Sequence, residues 1–316
     1  VLAAHPAKVV LGGDWPGWRG VDGSGFSSET HVPLHWDEEN NENVLWHRPV
    51  PGVGHSSPIV WQETIYLTYA DKESLTRHVM AITRETGETK WDRTVAKGAI
   101  EPMHSDNSPA SSTPVTDGES IFATFCINGE LMVFALNNDG AIQWEKAVGR
   151  FESEHGFSTA LVLVDGKLIL SGLQDGPDAF VAALDATHGD ILWKVPREQQ
   201  IRSYSAPVVV RIQDRSAVLL SGSGQTVAYD VPSGKTIWKI DGPASKTVSS
   251  IVVADDLGLA FVAGGRDGHF FAINYDQPDN SSPTADSLIA WKATKGIPYV
   301  TSPYYRDGIL HIVSDD

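Results

Sequence analysis

The chain has 316 residues, 41% of them hydrophobic and 20% charged, which fits one large globular domain or two medium ones and argues against overall disorder. Its formal net charge of −16 makes phosphate backbones and anionic membrane surfaces poor partners, and no apolar run is long enough for a transmembrane helix. With Cys126 as the single cysteine, no intrachain disulfide can form.

In chain order, Val1 to Gly13 is a short, partly apolar stretch, read as a weakly ordered approach to Asp14 and compatible with signal-peptide removal. Residues 1–43 form a lead-in segment, and 44–316 form one repeat domain. Val44-Leu45-Trp46-His47-Arg48 reads as the last strand of a unit that precedes the first full repeat. From Ala81 onward one pattern recurs. Ala81, Gly87 and Trp91 stand at the same spacing as Ala183, Gly189 and Trp193, and as Ala228, Gly234 and Trp238. Ala135, Gly140 and Trp144 form a copy one residue shorter. Ala272 reaches Trp291 only after an insertion, Gln277 to Ser287, rich in Pro, Ser, Asp and Asn.

The Ala positions are 54, 48, 45 and 44 residues apart, a period that suits a four-stranded propeller blade. Stretches such as Ile65-Tyr66-Leu67-Thr68-Tyr69 and Leu131-Met132-Val133-Phe134 have strand length and strand composition. Strand A of each unit begins at Ser57-Pro58, Thr113-Pro114, Thr159, Ala206-Pro207, Ser250 or Ser302-Pro303. Strand B follows at Ile65, Ile121, Leu168, Val218, Leu259 and Ile309. Strand C carries the Ala column, and a Gly turn leads to strand D with its Trp. The expected fold is therefore an all-β propeller of four-stranded antiparallel blades. Its repeats cover about 44–95, 105–148, 156–196, 203–240, 248–294 and a partial 299–316. The recurring Trp residues are expected in the core, a large side chain meeting a small one as blades stack. After Ile309 no further Ala–Gly–Trp segment follows. Either the last blade combines its strands A and B with the Trp46 strand, or the chain is a fragment of a longer ring; the second arrangement is favoured.

The pattern Ala-x-Asp-x-x-Thr-Gly-x-x-x-Trp resembles the tryptophan-docking motif of the PQQ-like repeat propellers. That family includes the quinoprotein alcohol dehydrogenases and the outer-membrane assembly scaffold BamB. Asp14-Trp15-Pro16-Gly17-Trp18-Arg19-Gly20 is similar to a lead-in segment of the same family. The resemblance implies a periplasmic or extracellular protein. In its dehydrogenase branch it implies PQQ on the channel axis beside calcium, with a disulfide of adjacent cysteines over the cofactor. A lone Cys126 forbids that disulfide, and the chain is short for that branch.

Ligand sites in propellers lie where the loops from strand D to strand A meet the channel. Here those loops hold His55, His104, Asp106, Asn107, Glu154, His155, Arg202, Tyr204, Lys246 and Tyr299, expected to converge on a small polar or anionic ligand or a peptide. His55, His104 and His155 lack tight metal-ligand spacing, so no metal is expected. Asp106/Asn107 and Asp175/Asp178 are the pairs that offer hard oxygens for calcium. No catalytic elbow, Walker loop or His-Glu-x-x-His occurs, and Ser221 to Gly224 and Gly264 to Gly268 read as turns between strands B and C. The expectation is a non-catalytic exported scaffold for a protein partner or small ligand, with no catalytic residue and no cofactor. The alternative is a PQQ-dependent dehydrogenase with calcium in the channel.

Overall fold

Alternating apolar strands joined by tight turns leave each repeat no choice but a small antiparallel sheet. A computed structural model describes residues 13–265, 268–276 and 285–314. It contains five four-stranded sheets and one two-stranded sheet, the blades of a β-propeller. The first blade comprises β1 (Ile59–Trp61), β2 (Thr64–Asp71), β3 (Thr76–Thr83) and β4 (Thr89–Lys97). The second comprises β5 (Val115–Thr116), β6 (Ser120–Ile127), β7 (Glu130–Asn137) and β8 (Ile142–Arg150). The third comprises β9 (Val162–Val164), β10 (Lys167–Gly172), β11 (Phe180–Asp185) and β12 (Ile191–Pro196). The fourth comprises β13 (Val208–Ile212), β14 (Arg215–Gly222), β15 (Gln225–Asp230) and β16 (Thr236–Asp241). The fifth comprises β17 (Val252–Ala254), β18 (Leu259–Ala263), β19 (Phe270–Asn274) and β20 (Ile289–Ala293). The partial sixth has β21 (Tyr304–Arg306) and β22 (Ile309–His311).

Strands pair in sequence order within every blade. The Pro residues expected to open strand A stand one position before it: Pro58 precedes Ile59, Pro114 precedes Val115 and Pro207 precedes Val208. The core is laid down between blades rather than within them. One cluster joins Phe122 and Leu131 of the second blade to Leu168 and Phe180 of the third. Another joins Leu219 and Trp238 of the fourth to Phe271 and Ile273 of the fifth.

The recurring Trp locks this stacking. Each lies directly across the hairpin from the Ala of its own blade: Ala81 opposite Trp91, Ala135 opposite Trp144, Ala183 opposite Trp193, Ala228 opposite Trp238 and Ala272 opposite Trp291. A β-bulge follows the Ala in all five. The indole then covers the Gly of the next blade. A methyl group added at Gly87, Gly140, Gly189 or Gly234 would lie 2.5, 2.7, 2.6 or 2.6 Å from the ring of Trp46, Trp91, Trp144 or Trp193. The indole N–H donates to a backbone carbonyl of that next blade: Trp46 to Arg84 (2.9 Å), Trp91 to Asn138 (2.8 Å), Trp144 to Ala186 (3.1 Å), Trp193 to Val231 (2.8 Å) and Trp238 to Tyr275 (2.9 Å).

Val44 to Arg48 is not a strand, contrary to expectation; only Trp46 reproduces the repeat, through its hydrogen bond and its cover of Gly87. β22 therefore pairs with β21 alone. Trp291 has no next-blade Gly beneath it among the described residues and is 42% exposed, whereas Trp238 is 3% exposed. Most of the Val1 to Gly13 stretch, Arg266 and Asp267 of the second Gly-rich turn, Gln277 to Thr284 of the insertion, and Asp315 and Asp316 lie outside the described residues. No helix in the described residues is long and apolar enough to cross a membrane.

The lead-in does not trail away from the ring. Trp15 forms a β-bridge with Val60 of β1, and the Pro16 carbonyl accepts from Thr116 N–H of β5 at 2.9 Å. The Trp18 indole N–H donates to Ser250 Oγ at 3.1 Å, and Arg19 donates to the Pro303 carbonyl at 3.0 Å. Residues 15–19 thus touch the inner edges of the first, second, fifth and sixth blades, across the axis of the propeller.

Candidate functional site

The segments that enter strand A from every blade face one cavity of about 690 Å³. His55, Thr113, Ser158, Tyr204, Ser250 and Thr301 line it, one from each blade, so it is the central channel. Trp18 and Arg19 line it as well, and also line two smaller pockets. These two lead-in residues are therefore the partition between the channel and the space behind it. Arg19 has a left-handed backbone (φ 62°), and its guanidinium donates to the carbonyls of Gly23, Ser24 and Pro303.

Four of the residues expected from the sequence line the cavity: His55, Asp106, Asn107 and Tyr204. A second group meets at the mouth. The rings of His104 and His155 pack edge to face with centroids 5.3 Å apart. Asn107 Nδ2 donates to the His155 carbonyl at 2.6 Å, which ties these two loops together. Arg202 Nε donates to His155 Nδ1 at 3.0 Å. The same guanidinium reaches Asp175 through NH1 at 3.1 Å and Glu154 through NH2 at 2.8 Å. Lys246 and Tyr299 sit together beside Gly265, where a methyl group would lie 2.7 Å from the Tyr299 ring and 3.8 Å from the Lys246 carbonyl, and the Lys246 charge also acts on His155.

Electrostatics follow from these contacts. Burial, and then the positive charge of Arg202, lower the pKa of His155 below the usual imidazole value. Its Nδ1 accepts from a guanidinium, so the ring is neutral with its proton on Nε2. Burial works against a charged Asp175, but the Glu154 N–H and Arg202 outweigh it and hold this carboxyl below the usual range. Burial likewise opposes the charge of Arg202, and Asp175 more than restores it. Cys126 takes no part: burial, reinforced by the Glu101 charge, pushes its thiol up to about 12.

One member of each pair that offered hard oxygens is committed elsewhere. Both oxygens of Asp175 face Arg202. Asn107 Oδ1 accepts from Ser108 N–H and from Ser111 Oγ–H. Asp106 is 88% exposed beside His104, and Asp178 enters a hydrogen bond through its carbonyl, which accepts from Gln174. Among the described residues no three His, Cys, Asp or Glu side chains group as metal ligands. Sequence reasoning missed Trp18 and Arg19 as channel residues, and it saw Asp175 only as a calcium ligand. The signals were the adjacent indole and guanidinium in the glycine-flanked run Gly17-Trp18-Arg19-Gly20 and the unmatched charge of Arg202.

Comparison with known proteins agrees with this architecture. The family model described as outer membrane protein assembly factor BamB matches residues 26–172 and 76–316. BamB from Moraxella catarrhalis superposes with a TM-score of 0.56 at 15% identity, over 87% of this chain and 73% of that one. Quinohemoprotein alcohol dehydrogenase ADHIIG from Pseudomonas putida HK5 gives 0.59 at 13% identity, over 90% of this chain and 48% of that one. The quinoprotein alcohol dehydrogenase PedH of Pseudomonas putida is 24% identical over 71% of this chain, which spans 36% of that relative. With its repeats matched almost from end to end, the chain belongs to the PQQ-like repeat propeller family typified by BamB.

Proposed function

We propose that this chain is a non-catalytic, exported propeller scaffold whose channel mouth receives a small polar ligand or a protein partner. The observation that carries the reading is that the strongest charges at the mouth, Arg202, Asp175 and Glu154, are spent on one another. Arg202 is held by Asp175 and Glu154, and its remaining Nε–H by His155. A calcium ion needs about six to eight oxygen ligands. Asp175 and Asn107, the best oxygen donors of the mouth, already accept strong hydrogen bonds. These residues do not make a seat for calcium and PQQ, and no step through that pair is derived. Export is supported by membership of a family whose model is described as an outer membrane assembly factor.

The test is to mix the purified chain with PQQ and calcium and follow alcohol-dependent dye reduction. No reduction above the protein-free control is expected. Alcohol-dependent turnover that scales with protein would overturn the scaffold reading. Cell fractionation of the full-length protein checks export, for which a cytoplasmic location is the refuting result.

A further inference from the structure

We propose that the central channel is a site for a neutral, polyhydroxylated ligand of the saccharide class, seated on the Trp18 indole. This rests on the small-ligand arm of the scaffold reading and narrows it to one chemistry.

The space is suitable. A cavity of about 690 Å³ lies in the range of sites that enclose small molecules. Its floor is built rather than incidental. Trp18 is 36% exposed although it lies on the propeller axis, and its N–H is fixed on Ser250 Oγ, which sets the plane of the ring. Arg19 next to it is fixed by three carbonyls. An indole held in place at little further entropic cost is a platform for the apolar C–H face of a sugar ring.

The walls supply the complementary half. Ser111, Thr113, Ser158, Ser250, Thr301 and Ser302 line the cavity with hydroxyls. Each hydroxyl both donates and accepts, as sugar hydroxyls do. Tyr204 lines the cavity through its ring, its hydroxyl being shut away from the channel beside Ser153 and Arg202. Charge decides against an anion. No lysine lines the cavity, the Arg19 guanidinium is committed to backbone carbonyls, and Asp106 contributes a carboxylate. Arg19 and Asp106 give the lining one positive and one negative charge, so a multivalent anion finds no net attraction, whereas a neutral polyol needs no counter-charge and meets wall hydroxyls, an amide and an aromatic face.

The experiment is calorimetric titration of the whole chain with glucose, galactose, maltose, N-acetylglucosamine and mannitol, beside citrate and PQQ with calcium. Saturable binding of at least one neutral member is expected. Trp18→Phe should keep that binding, and Trp18→Ala should weaken it by about tenfold or more. Ser158→Ala, which removes one wall hydroxyl, should weaken it by about tenfold, and it serves if Trp18→Ala proves unfolded by thermal melting. Binding of no neutral member, binding of citrate or PQQ alone, or saccharide binding unchanged in both Trp18→Ala and Ser158→Ala would overturn the proposal. Alcohol-dependent dye reduction strikes the scaffold reading itself. A silent saccharide titration with no dye reduction removes only the ligand class.

Discussion

Gly234 and Gly224 form a matched pair within the fourth blade. Both have left-handed backbones, at φ 70° and 75°. A side chain at either position carries the same backbone penalty, about 1–2 kcal/mol. They differ in surroundings. A methyl group at Gly224 has nothing within 4 Å, whereas at Gly234 it would lie 2.6 Å from Trp193 Cδ2, 2.8 Å from Cε3 and 2.9 Å from Cγ. Relief requires the indole to retreat, which stretches its 2.8 Å hydrogen bond to the Val231 carbonyl and opens the third blade from the fourth. Overpacking of that kind costs about 1–3 kcal/mol, and the hydrogen bond about 1 kcal/mol more. Gly224→Ala should therefore lose about 1–2 kcal/mol and Gly234→Ala about 3–6 kcal/mol. Urea unfolding followed by tryptophan fluorescence and by circular dichroism measures both, with coincidence of the two probes checking that one transition is being read. Equal losses in the two variants would refute the claim that the indole-on-glycine contact holds neighbouring blades together.

Three other outcomes follow from the channel. His155 titrates below the usual imidazole value when folded because of burial and Arg202. Its unfolded form takes up the proton first, so its contribution to stability is complete above about pH 6.5 and is lost as pH falls below that. Urea midpoints from pH 8 to pH 5 should drop more steeply for the wild type than for His155→Gln, and identical slopes would contradict the assignment. In Arg202→Gln the carboxyl of Asp175, now held low by the Glu154 N–H and Arg202, should titrate higher in a carbon-13 spectrum; an unmoved titration is the opposing result. Arg19→Ala removes the guanidinium from three carbonyls and should cost about 2–4 kcal/mol, with new proteolytic cuts mapped by mass spectrometry within residues 13–25. An unaltered cleavage pattern would mean that Arg19 does not anchor the lead-in.

The blades were readable because their chemistry is local. An indole every 45 to 53 residues, a Gly turn and a small residue on strand C recur together, in four of the five copies within about a dozen positions of one another. The exchange between blades was less readable. From spacing alone, a large residue is expected to meet a small one, the Ala, as blades stack. In the fold Trp91 faces Ala81 across its hairpin but rests on Gly140, and Trp144 faces Ala135 but rests on Gly189. Half of the contact is therefore non-local, and no one repeat displays it. The same cause explains Trp46. Its residue type announced a strand, yet what the fold retains is its position over Gly87, without a paired strand to carry it.

The candidate site divides along a similar line. His55, Asp106, Asn107 and Tyr204 were accessible to sequence reasoning because every loop from strand D to strand A in a propeller turns toward the axis. Asp175 was not recognised as the partner of Arg202, because it stands between strands B and C of the third blade and meets the loop that follows that blade's strand D. Trp18 and Arg19 were further out of reach: nothing in a linear stretch of lead-in says that it will cross the channel. Yet that segment has the greater leverage on recognition. Repeated blades place similar hydroxyls around the wall, as Thr113, Ser158, Ser250 and Ser302 do, and a near-symmetric wall offers a ligand several equivalent orientations. An asymmetric element must select among them. Within the cavity the lead-in is such an element, with an indole on one residue and a guanidinium on the next. On the proposed saccharide reading, selectivity belongs to the non-repeating segment, and exchange of residues 14–25 for those of a related propeller is expected to transfer ligand preference while leaving the blades intact.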